Sequence, residues 1–252
     1  DSLRLASYGT GINLRTIGGR TYVESVVARA PMEARVLVPG TEVLSIDGRP
    51  IAQALASVPE RFIAVFSETT RVRRRDRYAF WGEKYSLAVV CCRAPEEPVQ
   101  EVVVPRSVPF TTAGLGERVT FRMIDRIGYI RVPILINAGQ RRDDTIEKQV
   151  EDALLQVRDA DAIILDIRGN PGGTSWTAGA VASHFLTQPE EYAQFPGIPF
   201  VDRQGNLDLE LTGIAPDYPV TVTVEDLLTG RDPDLAKALE VLETALTSLE
   251  GK

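Results

Sequence analysis

A chain of 252 residues, 44% hydrophobic and 25% charged, is long enough for one large soluble domain or two smaller ones. No run approaches the roughly 18 apolar residues of a membrane span, and a net charge of −7 argues against nucleic acid as the main partner. The chain opens on Asp1 without a charged-then-apolar leader, which fits a trimmed or mature form and leaves the compartment unread.

In chain order, the first third reads as short strands divided by Gly and Pro: "GINL" (11–14), "TYVESVV" (21–27) and "EVLSID" (42–47). "IAQALASVPERFIAVF" (51–66) is helix-like, with a break expected at Pro59. The basic run "RVRRRDR" (71–77) reads as a solvated face or loop, with anion or membrane-surface contact as the sharper alternative. "YSLAVVCC" (85–92) and "VQEVVVP" (99–105) suggest a hairpin around "RAPEEP". Cys91 and Cys92, adjacent in that strand, point to opposite faces. They offer neither a disulfide framework nor metal-ligand spacing. A linker is expected over 106–117.

Beyond it the pattern alternates. "RIGYIRV" (126–132) is a strand, and "DDTIEKQVEDALLQV" (143–157) is a helix with Ile146, Val150, Leu154 and Val157 on one face. Asp144 and Glu147 stand at capping-box spacing. "AIILDI" (162–167) suits a strand buried on both faces. A helix is expected from about Thr174 to Leu186, and a last one from Asp232 with a stripe of Leu235, Leu239, Leu242, Leu246 and Leu249. The fold class expected is mixed α/β: a β-rich domain over 1–105, then an α/β core over 106–252.

Two constellations carry chemistry. In "YGTGINLRTIGGRTYVESVVARAPMEARVLVPGTEVLSIDGRPI" (8–51), Gly9 and Gly11 bracket Thr10 and leave backbone N–H groups to converge on an anion such as a peptide carboxylate. Ile12, Asn13 and Leu14 would then offer a strand edge to a bound peptide. The plain alternative is a Gly-rich turn with no ligand. The pattern resembles a PDZ domain, with "GTGI" as its carboxylate-binding loop; Thr10 stands where that family has an apolar residue.

The second is "AIILDIRGNPGG" (162–173), which is neither a G-x-G-x-x-G turn nor a P-loop. Pro171 removes a donor, while Gly172 and Gly173 permit positive φ and close approach to a bound group. A turn entering a helix N-terminus favours developing negative charge, so Gly172 and Gly173 are candidate oxyanion-hole donors. Alternatively, the glycines only let helix and strand pack closely.

"GYIRVP" (128–133), an amphipathic helix, "AIILDIRGNPGG" and "GIAPDYPV" (213–220) follow one another in the order found in carboxyl-terminal processing (tail-specific) serine peptidases, and the chain resembles that family. "GRDPDLAKALEVL" (230–242) resembles its tail. The resemblance implies a crotonase-like α/β core behind the PDZ-like domain, and a Ser/Lys dyad with a neutral lysine as base. It also implies extracytoplasmic action on the C-termini of proteins or peptides, without metal or cofactor. Protein or peptide C-termini are the expected partners, not nucleic acid, and no integral membrane segment is expected.

The dyad itself is not identifiable. The family carries its serine between the Gly-Gly turn and the G-I-x-P-D motif, an interval of only residues 174–212 here. The lysines are Lys84, Lys148, Lys237 and Lys252, each expected to face solvent. Ser175 follows the turn, and Ser183 adjoins His184, the sole histidine, but helix neighbours do not face each other. Arg131 stands where Ser/His relatives carry a histidine, and arginine is no neutral base. Either a segment near 190–200 is missing from the sequence, the favoured explanation, or the chain is a non-catalytic, peptide-binding relative.

Overall fold

The computed structural model describes residues 8–63, 68–110, 117–137, 144–186 and 215–251. The class is mixed α/β, as expected, and the chain divides into two compact units: residues 1–110 with 193–234, and residues 111–192 with 235–252. The expected gap near 190–200 lies outside the described residues.

The first unit is built on a six-stranded sheet in the order β2 (Ile12–Ile17), β3 (Arg20–Val26), β4 (Glu42–Ile46), β6 (Leu87–Arg93), β7 (Gln100–Pro105), with β5 (Arg49–Pro50) paired to β4. Alternation decides its faces: Ile12, Leu14, Val23, Val43, Val90 and Val104 are all buried. Burying each such side chain contributes about 1.5–3 kcal/mol. The β2–β3 turn is Gly18-Gly19 and the β4–β5 turn is Asp47-Gly48, all four at positive φ, the requirement of a tight hairpin turn. Pro59 divides the helical stretch into α1 (Ile51–Ala56) and α2 (Glu60–Ile63).

The basic run is a solvated helix face rather than a loop. It lies on α3 (Glu68–Tyr78), where Arg71 pairs with Glu60 and Glu68, Arg73 with Glu24, and Arg75 with Glu68. The expected linker also begins later than its sequence suggested. Arg106 is buried, its guanidinium bonded to the carbonyls of Phe80 and Leu87 and to Asp47. Just beyond, β8 (Val108–Pro109) pairs antiparallel with β1 (Tyr8–Gly9).

In the second unit, β10 (Ile127–Arg131) is the central strand. It pairs antiparallel with β9 (Thr120–Ile124) and parallel with β11 (Ala162–Asp166). Helix α4 (Ile146–Gln156) makes the parallel crossover and sets Ile146, Val150 and Ala153, with Val157 just beyond it, against Ile130, Val132 and Ile134. Gly128 is required there, because a Cβ would stand 2.8 Å from Val157 Cβ. The cap of α4 is Thr145, whose hydroxyl accepts from Lys148 N–H at 3.3 Å. Asp144 pairs instead with Arg118, correcting the expected capping box. Among the described residues β11 is an edge strand and only half-buried over Ala162–Leu165, not buried on both faces.

Helix α5 (Ser175–Ser183) follows the Gly-Gly turn. Helix α6 (Val224–Thr229) opens with a capping box between Thr223 and Asp226 and ends on Gly230 at φ 67°. Its Leu228 fills a notch over Gly40 that a Cβ would close. Helix α7 (Pro233–Glu250) keeps its leucine stripe half-buried to exposed, and Arg126 reaches its Glu243 and Glu250.

Candidate functional site

Strand β11 ends on Asp166, and the chain turns through Gly169 (φ 73°) and Gly172 (φ 102°) into α5. Asp166 is the knot of this turn. Its carboxylate accepts from Tyr129 Oη at 2.5 Å, from Arg168 N at 2.9 Å and Nε at 3.0 Å, and from an Arg168 terminal nitrogen at 2.7 Å. Burial pushes its pKa up, but the bonds from Arg168 and Tyr129 outweigh burial and hold it at about 2. The Tyr129 hydroxyl is raised, by burial first and then by its bond to Asp166.

Asn170 ties the other side. Its Nδ2 donates to Val132 C=O at 3.0 Å, and its Oδ1 accepts from Gly172 N–H at 2.8 Å. Leu135 then donates to Gly172 C=O at 3.0 Å and accepts from Thr174 N–H at 2.8 Å, a parallel bridge opposite Gly173. A Cβ on Gly173 would overlap the Leu135 carbonyl, so this bridge requires glycine. In that pairing Gly173 turns its own N–H away from Leu135, and it has no acceptor among the described residues. The two candidate donors therefore differ: Gly172 N–H is spent inside the turn, and Gly173 N–H faces outward. Thr174 caps α5 by accepting from Thr177 N–H at 3.1 Å.

The described serines and lysines do not assemble beside it as a dyad. Ser183 donates to Ala180 C=O at 2.7 Å, while Ser175 and His184 are exposed. Lys84 lies over the Tyr8 and Tyr85 rings, Lys148 pairs with Asp152 and Glu151, and Lys237 pairs with Glu240. The pKa of Lys84 is raised by its bond to Tyr85, and that of Lys148 by its bond to Asp152, opposite to what a neutral base needs. Lys252 lies outside the described residues.

In the first unit, Gly9, Thr10 and Gly11 lead into β2, an edge strand of its sheet, and helix α3 packs along that edge. Gly11 needs its φ of 78° and its missing side chain, since a Cβ would meet Ala30 at 2.8 Å. The side chains of Ile12 and Leu14 belong to the core, and Asn13 bonds Ser25 at 3.0 Å, so only backbone is left to serve a ligand. Two of its N–H groups are taken internally. Ile12 N–H donates to the buried Thr10 hydroxyl at 3.3 Å. Thr16 donates to Asp76 from both N–H and hydroxyl at 2.8 Å. Asp76 is buried, and desolvation raises its pKa despite those bonds.

Among the described residues no group of His, Cys, Asp and Glu is arranged to hold a metal, and no helix is long and apolar enough to cross a membrane.

Residues 126–196 match peptidase family S41. The carboxy-terminal processing protease CtpB of Bacillus subtilis (strain 168) is 21% identical over 254 residues, covering 98% of this chain and 45% of CtpB. Among solved structures, the photosystem II D1 C-terminal processing protease is 17% identical with a TM-score of 0.37, over 73% of this chain and 47% of its own. Mature CPAF complexed with lactacystin is 16% identical with a TM-score of 0.44, over 70% and 44%. The chain spans less than half the length of each of these proteins. The segment that carries the Asp166 knot and the Gly-Gly turn lies within the S41 match, and the chain as a whole is similar to a carboxy-terminal processing protease.

Proposed function

We propose that this chain belongs to a serine-type endopeptidase that cuts protein or peptide substrates near their C-termini. In this proposal the PDZ-like domain of residues 1–105, extended to 110, binds the substrate C-terminus along β2. The crotonase-like core, beginning after residue 110 rather than at 106, supplies the oxyanion site. The observation that carries it is the outward N–H of Gly173, held by a turn in which the N–H groups of Arg168, Asn170, Gly172 and Thr174 are satisfied internally. A preorganised donor of this kind is worth roughly a hundred- to a thousand-fold in rate when it faces the developing oxyanion. By the same family resemblance the enzyme acts outside the cytoplasm.

A second proposal, a non-catalytic peptide-binding scaffold, draws on one observation: the described lysines are exposed, ion-paired or raised in pKa. Turnover of an internally quenched peptide by the purified protein separates the two. The peptidase predicts cleavage abolished by a single Ser→Ala change; the scaffold predicts no turnover by any form, with binding of a free-acid peptide retained.

A further inference from the structure

Phe110 follows the short strand β8 directly, and its ring points end-on at Gly9, the first glycine of the candidate carboxylate loop. A Cβ on Gly9 would stand 2.6 Å from Phe110 Cζ and 3.1 and 3.2 Å from the two Cε atoms, so only glycine admits the ring. The ring also lies 4.8 Å from that of Tyr78, at the C-terminal end of α3. Tyr78 in turn stacks on Phe62 at 4.8 Å, and Trp81 lies 5.7 Å beyond. Arg61 sits over both Phe62 and Trp81, which puts positive charge on the same aromatic wall. Phe110 thus bridges the loop that opens β2 and the helix that flanks β2, at the end of the groove where a bound carboxylate would lie.

We propose that Phe110 is an internal plug of this groove, filling the pocket that the last side chain of a bound C-terminal peptide takes. The inference rests on the peptide-binding role proposed for β2. Phe110 acts together with two other internal substitutes on the same edge: the Thr10 hydroxyl on Ile12 N–H and the Asp76 carboxylate on Thr16. The plug is carried by a pairing of only two residues per strand, Tyr8 with Pro109 and Gly9 with Val108. So short a pairing opens at little cost. The pocket is shaped for an aromatic ring because it already holds one. A peptide with a free-acid C-terminal phenylalanine offers both the ring and the carboxylate, and it binds by displacing Phe110. The apparent affinity falls in proportion to the fraction of molecules with the pocket open, so a plug in place nine-tenths of the time weakens binding roughly tenfold.

The test is fluorescence anisotropy with fluorescein-labelled decapeptides on the whole chain. The probes end in phenylalanine as the free acid, phenylalanine as the amide, and aspartate as the free acid. Phe110→Ala is expected to bind the phenylalanine acid about tenfold more tightly than the unaltered protein, the phenylalanine amide to gain by a similar factor from a weaker starting affinity, and the aspartate acid to gain under about twofold. Phe110→Leu, which keeps an apolar side chain in place, is expected to gain about two- to fivefold and carries the test if circular dichroism shows Phe110→Ala unfolded. Equal affinity of the unaltered and variant proteins for the phenylalanine acid overturns the plug while leaving the peptide groove standing. Equal gains for all three probes also overturn it, because the pocket then has no preference for a ring. Failure of every form to bind any probe overturns both the plug and the groove.

Discussion

The Gly-Gly turn of the second unit and the glycine loop of the first are both candidate sites for negative charge, yet they are held in opposite ways. Around 166–174 the restraints are groups no substrate would replace: Asp166 gathers Tyr129 and Arg168, Asn170 spans Val132 and Gly172, and Leu135 bridges Gly173. The Gly173 N–H is left pointing outward. Around 9–16 the restraints are groups that a peptide would mimic: a hydroxyl on Ile12 N–H, a carboxylate on Thr16 and a ring against Gly9. The first arrangement suits the proposed role of a fixed donor, and the second suits the proposed exchange with a peptide.

If that contrast is right, substitutions in the turn should damage the fold more than those on the groove edge. The largest effect is expected from Gly173→Ala, whose methyl group cannot coexist with the Leu135 carbonyl; we expect a loss of about 3 kcal/mol or more by urea unfolding. A loss under about 1 kcal/mol would mean that the bridge gives way easily and that the outward N–H is not rigidly aimed.

Asp166→Asn should follow, at about 2 kcal/mol, because it removes the charge on which Tyr129 and Arg168 converge. The sign with pH is determined by the depressed pKa. Asp166 binds its proton less readily folded than unfolded, so its contribution is complete above the ordinary value of 3.8 and is lost as pH falls toward about 2. Unfolding midpoints of the parent and Asp166→Asn measured from pH 6 to pH 2 should converge at the acid end. Parallel curves would break the assignment.

Asp76 supplies the smallest and most discriminating change. Its pKa is raised by burial, so it binds a proton more readily folded than unfolded, and acidification through its folded pKa favours the fold. Asp76→Asn, which can still accept from Thr16 N–H, is expected to cost less than about 1 kcal/mol, and Asp76→Ala about 1–2 kcal/mol. Should both cost more than Asp166→Asn in calorimetry, the groove edge would be as rigid as the turn, and the contrast would fail.

Much of this arrangement was legible in the residues. The stripe Ile146, Val150, Val157 located α4, and the Gly-Gly break located the turn, because each depends on local periodicity or backbone freedom. Strand β9 gave no such signal: Thr120, Phe121, Arg122 and Met123 are all exposed and show no inside-outside alternation. The Asp166 knot was also invisible, since Tyr129 meets it only through the parallel pairing of β10 and β11. Asp144 and Thr145 compete for one cap, and the pull of Arg118 on Asp144 is a tertiary fact. Phe110 was lost in an apparent linker for the same reason, its partners Gly9 and Tyr78 being distant in sequence.

The pairing of β1 with β8 has a topological consequence. The chain arrives at residue 8 and departs at residue 110 on neighbouring strands, which run about 5 Å apart. Residues 10–107 therefore form a closed excursion, a cassette whose two ends almost touch. Its loops can be lengthened while the flanking chain stays in register, so long as Gly40 keeps its contact with Leu228.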